Sequence, residues 1–256
     1  LITPVQRYTR CTSEDVASHV LLVEYPFMVD YLAGLMDDVS RIEGQVGIVT
    51  ATGLYKGVRL TVSTGGLGGP SLAIMVEEFS RLGGRVFLRV GTATAITPRL
   101  GIGDLVVATA AVRSDKISEA YAPLSYPACA NFRVLRGLMD VLTSVEEKYE
   151  AGLIASTNIF YMENGEEAKK WTRFNVLALD MDTATFYVLA GLRRLRAASL
   201  VVIDSSLSKG IAKPFIGGEE EHTEIAGKVE DRLKRAAELG LEALKLVYER
   251  SVMEAH

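Results

Sequence analysis

The side chains best suited to chemistry fall in two short stretches. Thr64-Gly65-Gly66-Leu67-Gly68-Gly69-Pro70-Ser71 follows one apolar run, and Arg89-Val90-Gly91-Thr92 closes the next. Glycines let a backbone approach a ligand closely, and Pro70 suits the first turn of a helix that such a loop would open. A guanidinium offers a planar fork to two oxygens of one anion, and a threonine hydroxyl adds a further donor. Open parallel sheets bind ligands beyond the carboxyl ends of their strands, so the two stretches together suggest a small anionic or polar ligand. Ordinary tight turns account for the same spacing equally well.

These loops need strands to carry them and helices to cover those strands. Short β-branched apolar runs predict strands at His19 to Glu24, Val46 to Ala51, Val58 to Thr64, Arg85 to Gly91, Asp104 to Val112, Ala151 to Thr157, Val176 to Leu179 and Ser199 to Asp204. Apolar residues at three- and four-residue spacing predict helices at Pro26 to Met36, Pro70 to Leu82, Phe132 to Lys148, Asp182 to Leu195 and His222 to Val252. The alternation predicts an α/β fold with a largely parallel sheet and helices on both faces. Lys56-Gly57 predicts a hairpin, so part of the sheet is expected to be antiparallel.

Hydrophobic residues make up 48% of the 256-residue chain, and no linker composition divides it, so residues 1–256 are expected to form one domain. A net charge of −4 without a dense Lys/Arg block argues against a nucleic acid polymer as partner. Cys11 and Cys129 match no disulfide or zinc spacing, so no metal is expected and a reducing cytoplasm fits. The apolar runs are too short to span a membrane, and no basic segment leads into an apolar core at Leu1. Glutamine occurs only as Gln6 and Gln45, which leans towards a thermophilic source.

Several motifs then occur together, in order. They are Ser63-Thr64-Gly65 with Gly68-Gly69-Pro70-Ser71, Phe87-Leu88-Arg89-Val90-Gly91-Thr92, Ala122-Pro123-Leu124 with Tyr126-Pro127-Ala128, Asn158-Ile159-Phe160-Tyr161, and Asp180-Met181-Asp182-Thr183-Ala184-Thr185. On these the chain resembles the nucleoside phosphorylases of the trimer-of-dimers type, and within them the uridine phosphorylases. The resemblance covers most of the chain. It implies a single three-layer α/β/α domain around a mixed, partly barrel-like sheet. It also implies cleavage of a nucleoside's glycosidic bond by inorganic phosphate, with no other cofactor, in a homo-oligomer from dimer to hexamer with shared sites.

Carried over residue by residue, the resemblance implies that Arg89 and Thr92, with Gly66 and Gly68 of the loop, bind phosphate. Met181 and Asp182 fall where the family holds ribose, with Asp182 in place of a glutamate. An N-cap reading of Asp182 remains open beside the ribose one, as does a cap reading of Thr92. Phe160 matches the aromatic that stacks on the base, and Asn164 and Glu166 stand where a base edge would be read. Asp204 lies near the aspartate by which purine phosphorylases protonate the leaving base, although it reads equally as a turn initiator.

The chain also departs from the family. Glu24-Tyr25-Pro26-Phe27-Met28 stands where relatives carry Gly-Asp-Pro-x-Arg, so a glycine has become Glu24 and a phosphate-binding arginine has become Met28. A carboxylate there repels a phosphate dianion by roughly a few kcal/mol in a partly desolvated site. Three activities therefore stand: a phosphorylase, a hydrolase in which Glu24 activates water, and a nucleoside-binding relative without turnover.

Overall fold

In the computed structural model the described residues are 5–162, 165–214 and 224–254. Their strands are β1 (His19–Val23), β2 (Asp37–Glu43), β3 (Val49–Tyr55), β4 (Val58–Thr64), β5 (Val86–Ala95), β6 (Leu105–Ser114), β7 (Tyr149–Thr157), β8 (Val176–Asp180) and β9 (Arg196–Ser206). The helices are α1 (Pro26–Ala33), α2 (Gly68–Arg81), α3 (Ile117–Tyr121), α4 (Phe132–Ser144), α5 (Gly165–Thr172), α6 (Thr183–Leu192) and α7 (Glu224–Met253).

All these strands hydrogen-bond into one sheet in the order β2-β3-β4-β1-β5-β8-β7-β6-β9, and a further pairing of β5 with β9 closes the last five into a barrel. The central pairs β4·β1, β1·β5, β5·β9 and β6·β7 are parallel, whereas β2·β3, β3·β4, β5·β8 and β6·β9 are antiparallel. One core packs α2 and α6 against one face of the sheet; another packs α1, α4 and α7 against the other. The expected mixed, partly barrel-like sheet between two helical layers is thus observed. Among the described residues no helix is long and apolar enough to cross a membrane.

β4 has the predicted bounds, and the predicted hairpin joins it to β3, with Lys56 and Gly57 both left-handed as a tight two-residue turn requires. The strand expected at Val46 to Ala51 is shifted. Val46 and Gly47 are left-handed and form a turn, so β3 starts at Val49 and runs on to Tyr55. β2, α3 and α5 are additions to the sequence reading. β2 is an edge strand exposed along nearly its whole length, so it carries no apolar face to reveal it.

β5 is the branch point of the sheet. Val86 to Val90 pair with β1, Thr94 and Ala95 pair with β8, and all of β5 runs beside β9. On one side, Gly91 to Ala93 therefore lie in a gap between the end of β1 and the start of the β8 pairing. In the helical layer of α4 and α7, a Cβ on Gly137 would lie 2.6 Å from Val247 Cγ2. A side chain there has to push the two helices apart. Gly137→Leu is expected to destabilise the fold by about 2–3 kcal/mol, read as a lower urea midpoint at unchanged slope.

Candidate active site

The gap beside β5 is filled by the residue that follows β1. Val23 is the last partner of β5, opposite Val90, and Glu24 then turns its carboxylate onto Thr92. Thr92 donates its backbone N–H to Glu24 Oε2 at 2.7 Å and its hydroxyl to Oε1 at 3.1 Å. The carboxylate takes an amide that a longer β1 would have taken. Thr92 is therefore a mid-strand residue of β5, and the cap reading falls away.

Arg89, three residues earlier, is buried with its guanidinium folded over Gly91. A Cβ at Gly91 would stand 2.6 Å from Arg89 Nη2 and 3.0 Å from Glu24 Oε2, so only glycine fits beneath the two charged groups. Arg89 Nη2 lies 2.6 Å from Asp182 Oδ1, Nη1 lies 3.6 Å from Asp180 Oδ2, and Nη1 donates weakly to Ser199 Oγ at 3.4 Å.

Asp182 occupies the N-cap position of α6 but makes no cap bond. Asp180, the last residue of β8, does that work instead, accepting the Thr183 N–H at 3.1 Å and hydroxyl at 2.5 Å, while its other oxygen accepts Ser156 Oγ at 2.6 Å. The Asp182 side chain is thereby left to face Arg89 and the cleft. Asp180 is a site residue that the sequence reading missed; its only local sign is the Asp-Met-Asp pair before Thr183.

The glycine loop closes another wall. Gly65 N–H donates to Val23 O at 2.7 Å, tying the loop to the end of β1, and Gly69 N–H donates to Met181 O at 3.1 Å. Gly66 and Gly68 are both left-handed, at φ +74. Gly66 lines the cleft with Leu67, whereas Gly68 opens α2 behind Met181, whose Cε would stand 3.6 Å from a Cβ there.

Phe160, Asp204 and Lys213 form the remaining end of the cleft, which also holds Glu24, Arg89 and Met181. Phe160 is partly exposed in a 3₁₀ turn (Phe160–Met162), with the Lys213 ammonium 3.7 Å from its ring centroid. Asp204 lies inside β9, not at a turn, and accepts Ser205 Oγ at 2.6 Å. Lys213 gave no sequence signal because it follows β9 in an irregular segment.

One expected base contact, Glu166, is not in this assembly. Glu166 is exposed on α5 and paired with Lys169 at 2.7 Å, so its charge is solvated away from the cleft. Asn164 lies outside the described residues. Met28, at the place of the family's arginine, is fully buried in the core beneath α1 rather than facing the cleft. Among the described residues no three His, Cys, Asp or Glu side chains converge as metal ligands.

Glu24, Asp180, Asp182 and Asp204 thus surround one buried guanidinium. Burial, then Asp180 and Glu24, hold the Asp182 carboxyl well above the ordinary carboxylate range despite Arg89. Arg89 is held firmly charged, because Asp182, Asp180 and Glu24 outweigh the burial that works against it. Burial above all, with help from Glu24, pushes Asp204 up to about 6, while Ser205, Lys213 and Thr92 pull it back.

A family model described as the phosphorylase superfamily matches residues 18–245. A guanosine phosphorylase from Halorubrum lacusprofundi is 34% identical over 230 residues, covering 90% of this chain and 94% of the relative. A uridine phosphorylase from Thermococcus kodakarensis is 35% identical over 212 residues, covering 78% of this chain and 76% of the relative. The crystal structure of uridine phosphorylase from Vibrio fischeri superimposes with a TM-score of 0.84 at 28% identity, covering 93% and 96% of the two chains.

The Asp204 shift has a consequence for stability. Its folded pKa lies above the unfolded value of 3.8, so between about 4 and 6 the folded state binds the proton more tightly and stability falls as pH rises. Asp204→Asn removes that penalty while keeping the shape. The variant is expected to match the wild type at pH 4 and to exceed it by about 1–3 kcal/mol at pH 8 in chemical denaturation.

Proposed function

Because the chain belongs to the phosphorylase superfamily, we propose that residues 1–256 act as one domain cleaving the N-glycosidic bond of a purine nucleoside. The observation that carries this reading is Asp204, a buried carboxyl with a pKa raised to about 6 at the Phe160 end of the cleft. Such a group keeps its proton in about a tenth of molecules at pH 7, roughly a hundredfold more than an ordinary carboxylate, and donates it to a ring nitrogen of the departing base. The guanosine phosphorylase relative supports the same preference. The uridine-type resemblance is less well supported at this end, since Met162-Glu163-Asn164-Gly165-Glu166 lacks the glutamine and arginine that read uracil in that family.

In this mechanism Phe160 stacks on the base, Met181 packs against the ribose, and Asp182 accepts its hydroxyls. As the C1′–N bond breaks, positive charge grows on the sugar, and the carboxylates on that side of the cleft stabilise it. Inorganic phosphate enters at Arg89, Thr92 and Gly66, displacing the Glu24 carboxylate from the Thr92 donors. A phosphate oxygen bonds to C1′, the base leaves with the proton of Asp204, and the products are free base and ribose 1-phosphate. Leu67, Ile159, Phe160 and Tyr161 remain exposed around the cleft mouth, which fits a homo-oligomer in which a second copy covers it.

The placement of Glu24 favours a second reading. A carboxylate already seated on Thr92 is in position to take a proton from water, giving free base and ribose.

Guanosine, inosine and uridine, each incubated with and without phosphate, distinguish these readings by release of free base. Phosphorolysis predicts purine release only with phosphate, and hydrolysis predicts it without. In either case kcat/KM for the purine is expected to fall about tenfold per pH unit above the Asp204 pKa, and Asp204→Asn to lower it by roughly 10²–10⁴-fold. Faster cleavage of uridine, or an unaffected Asp204→Asn variant, would overturn the purine reading.

A further inference from the structure

A second concave site lies at the other end of the barrel strands. It is a cavity of about 350 Å³ whose walls include Phe132, Arg133, Arg136, Arg196, Arg250 and Glu254. The cavity falls within the roughly 300–1,000 Å³ range of small-molecule sites. Arg196 is the first residue of β9 and Asp204 is eight residues further along the same strand, a separation of about 26 Å at strand rise. The two sites share no residue.

Three elements bring the arginines together. The Asn131 N–H donates to Ala197 O at 2.7 Å, which fastens the start of α4 beside the start of β9. The Asn131 side chain caps α4 by accepting from the Arg133 and Val134 amides, so Arg133 projects from a fixed first turn and Arg136 from the start of the next. The C-terminal part of α7 supplies Arg250, which pairs with Asp140 at 2.7 Å, and the residue just after the helix, Glu254, pairs with Arg133 at 2.5 Å. Arg136 shares Asp140 at a longer 3.7 Å.

Charge is not balanced here. Four guanidinium groups line the cavity against the single carboxylate of Glu254, with Asp140 behind them shared by two. Arg196 is half-buried and makes no ion pair among the described residues. Its field is felt by buried His19, which lies two strands away in register through Val86 and is pushed down to about 4, by burial first and Arg196 second. On the rim, the ring of Phe132 is 71% exposed although it opens a helix with a well-packed inner face.

From this arrangement we propose that the cavity binds a small phosphorylated aromatic metabolite, of the nucleoside 5′-monophosphate class, with the phosphoryl group on Arg196, Arg250 and Arg136 and the base on Phe132. Guanidinium forks match phosphoryl oxygens, and an exposed ring is a stacking platform for a base. An extended polyanion fits poorly, because the basic groups are confined to one cavity on a chain of net charge −4. The inference does not depend on which bond the other site cleaves.

The test is calorimetric titration of the full chain with GMP, guanosine and inorganic phosphate, using wild type, Arg196→Ala, Arg196→Lys and Phe132→Ala. The expected result is GMP binding that weakens with salt, drops at least tenfold in Arg196→Ala, recovers in part in Arg196→Lys, and drops in Phe132→Ala. Nucleoside cleavage without GMP stays at the wild-type rate in all three variants. GMP affinity equal in wild type and Arg196→Ala overturns the proposal, as does phosphate binding that is as tight as that of GMP and is lost in Arg196→Ala. Absence of GMP binding overturns it as well, including the case where Arg196→Ala instead changes the oligomer size and marks the cavity as an interface.

Discussion

A single buried guanidinium organises the centre of this molecule. Arg89 sits on the strand where the open sheet becomes a barrel, and burying an unpaired cation there would cost several kcal/mol. Its partners come from different elements: Asp180 ends β8, Asp182 precedes α6, and Glu24 follows β1. Pairing the charge thus fixes where β1 and β8 end and where α6 begins relative to one another. The same demand removes the side chain at residue 91 and assigns the capping of α6 to Asp180, which leaves Asp182 facing the cleft.

The cluster holds more carboxyls than cations. Glu24, Asp180, Asp182 and Asp204 share Arg89, with Lys213 at the edge, so some acids are forced to keep protons. Burial above all, with Glu24 adding to it, lifts Asp204 to about 6. In the proposed phosphorolysis an incoming phosphate meets a carboxylate already bound to the Thr92 donors. Glu24 behaves as a built-in anion in the corner where the family is expected to bind phosphate.

Much of this was legible in the sequence where chemistry and local geometry coincide. The glycine loop, Arg89, Thr92 and the Lys56-Gly57 turn rest on residue types with strong backbone or charge preferences, and β4 is an apolar run bounded by turns. The exposed edge strand β2 needs no apolar face, and α5 is short and highly charged. The second half of β5, Gly91 to Ala95, is built of small residues that fit between barrel strands, so the strand reads shorter than it is. Side-chain direction was beyond sequence altogether. Asp182 and Asp180 exchange the roles their positions suggest, Met28 turns into the core, and Glu166 turns to solvent because its chain leaves the cleft at α5.

In the proposed phosphorolysis Glu24 competes with phosphate for the corner formed by Arg89 and Thr92. Removing one unit charge about 4 Å from a bound anion is worth up to about 4 kcal/mol at an effective dielectric of 20. The direct measurement is the dissociation constant of inorganic phosphate for wild type and for Glu24→Gly, by calorimetry at pH 8 with ionic strength fixed. Such competition predicts at least tenfold tighter phosphate binding in the variant. Equal affinity in the two proteins would contradict it.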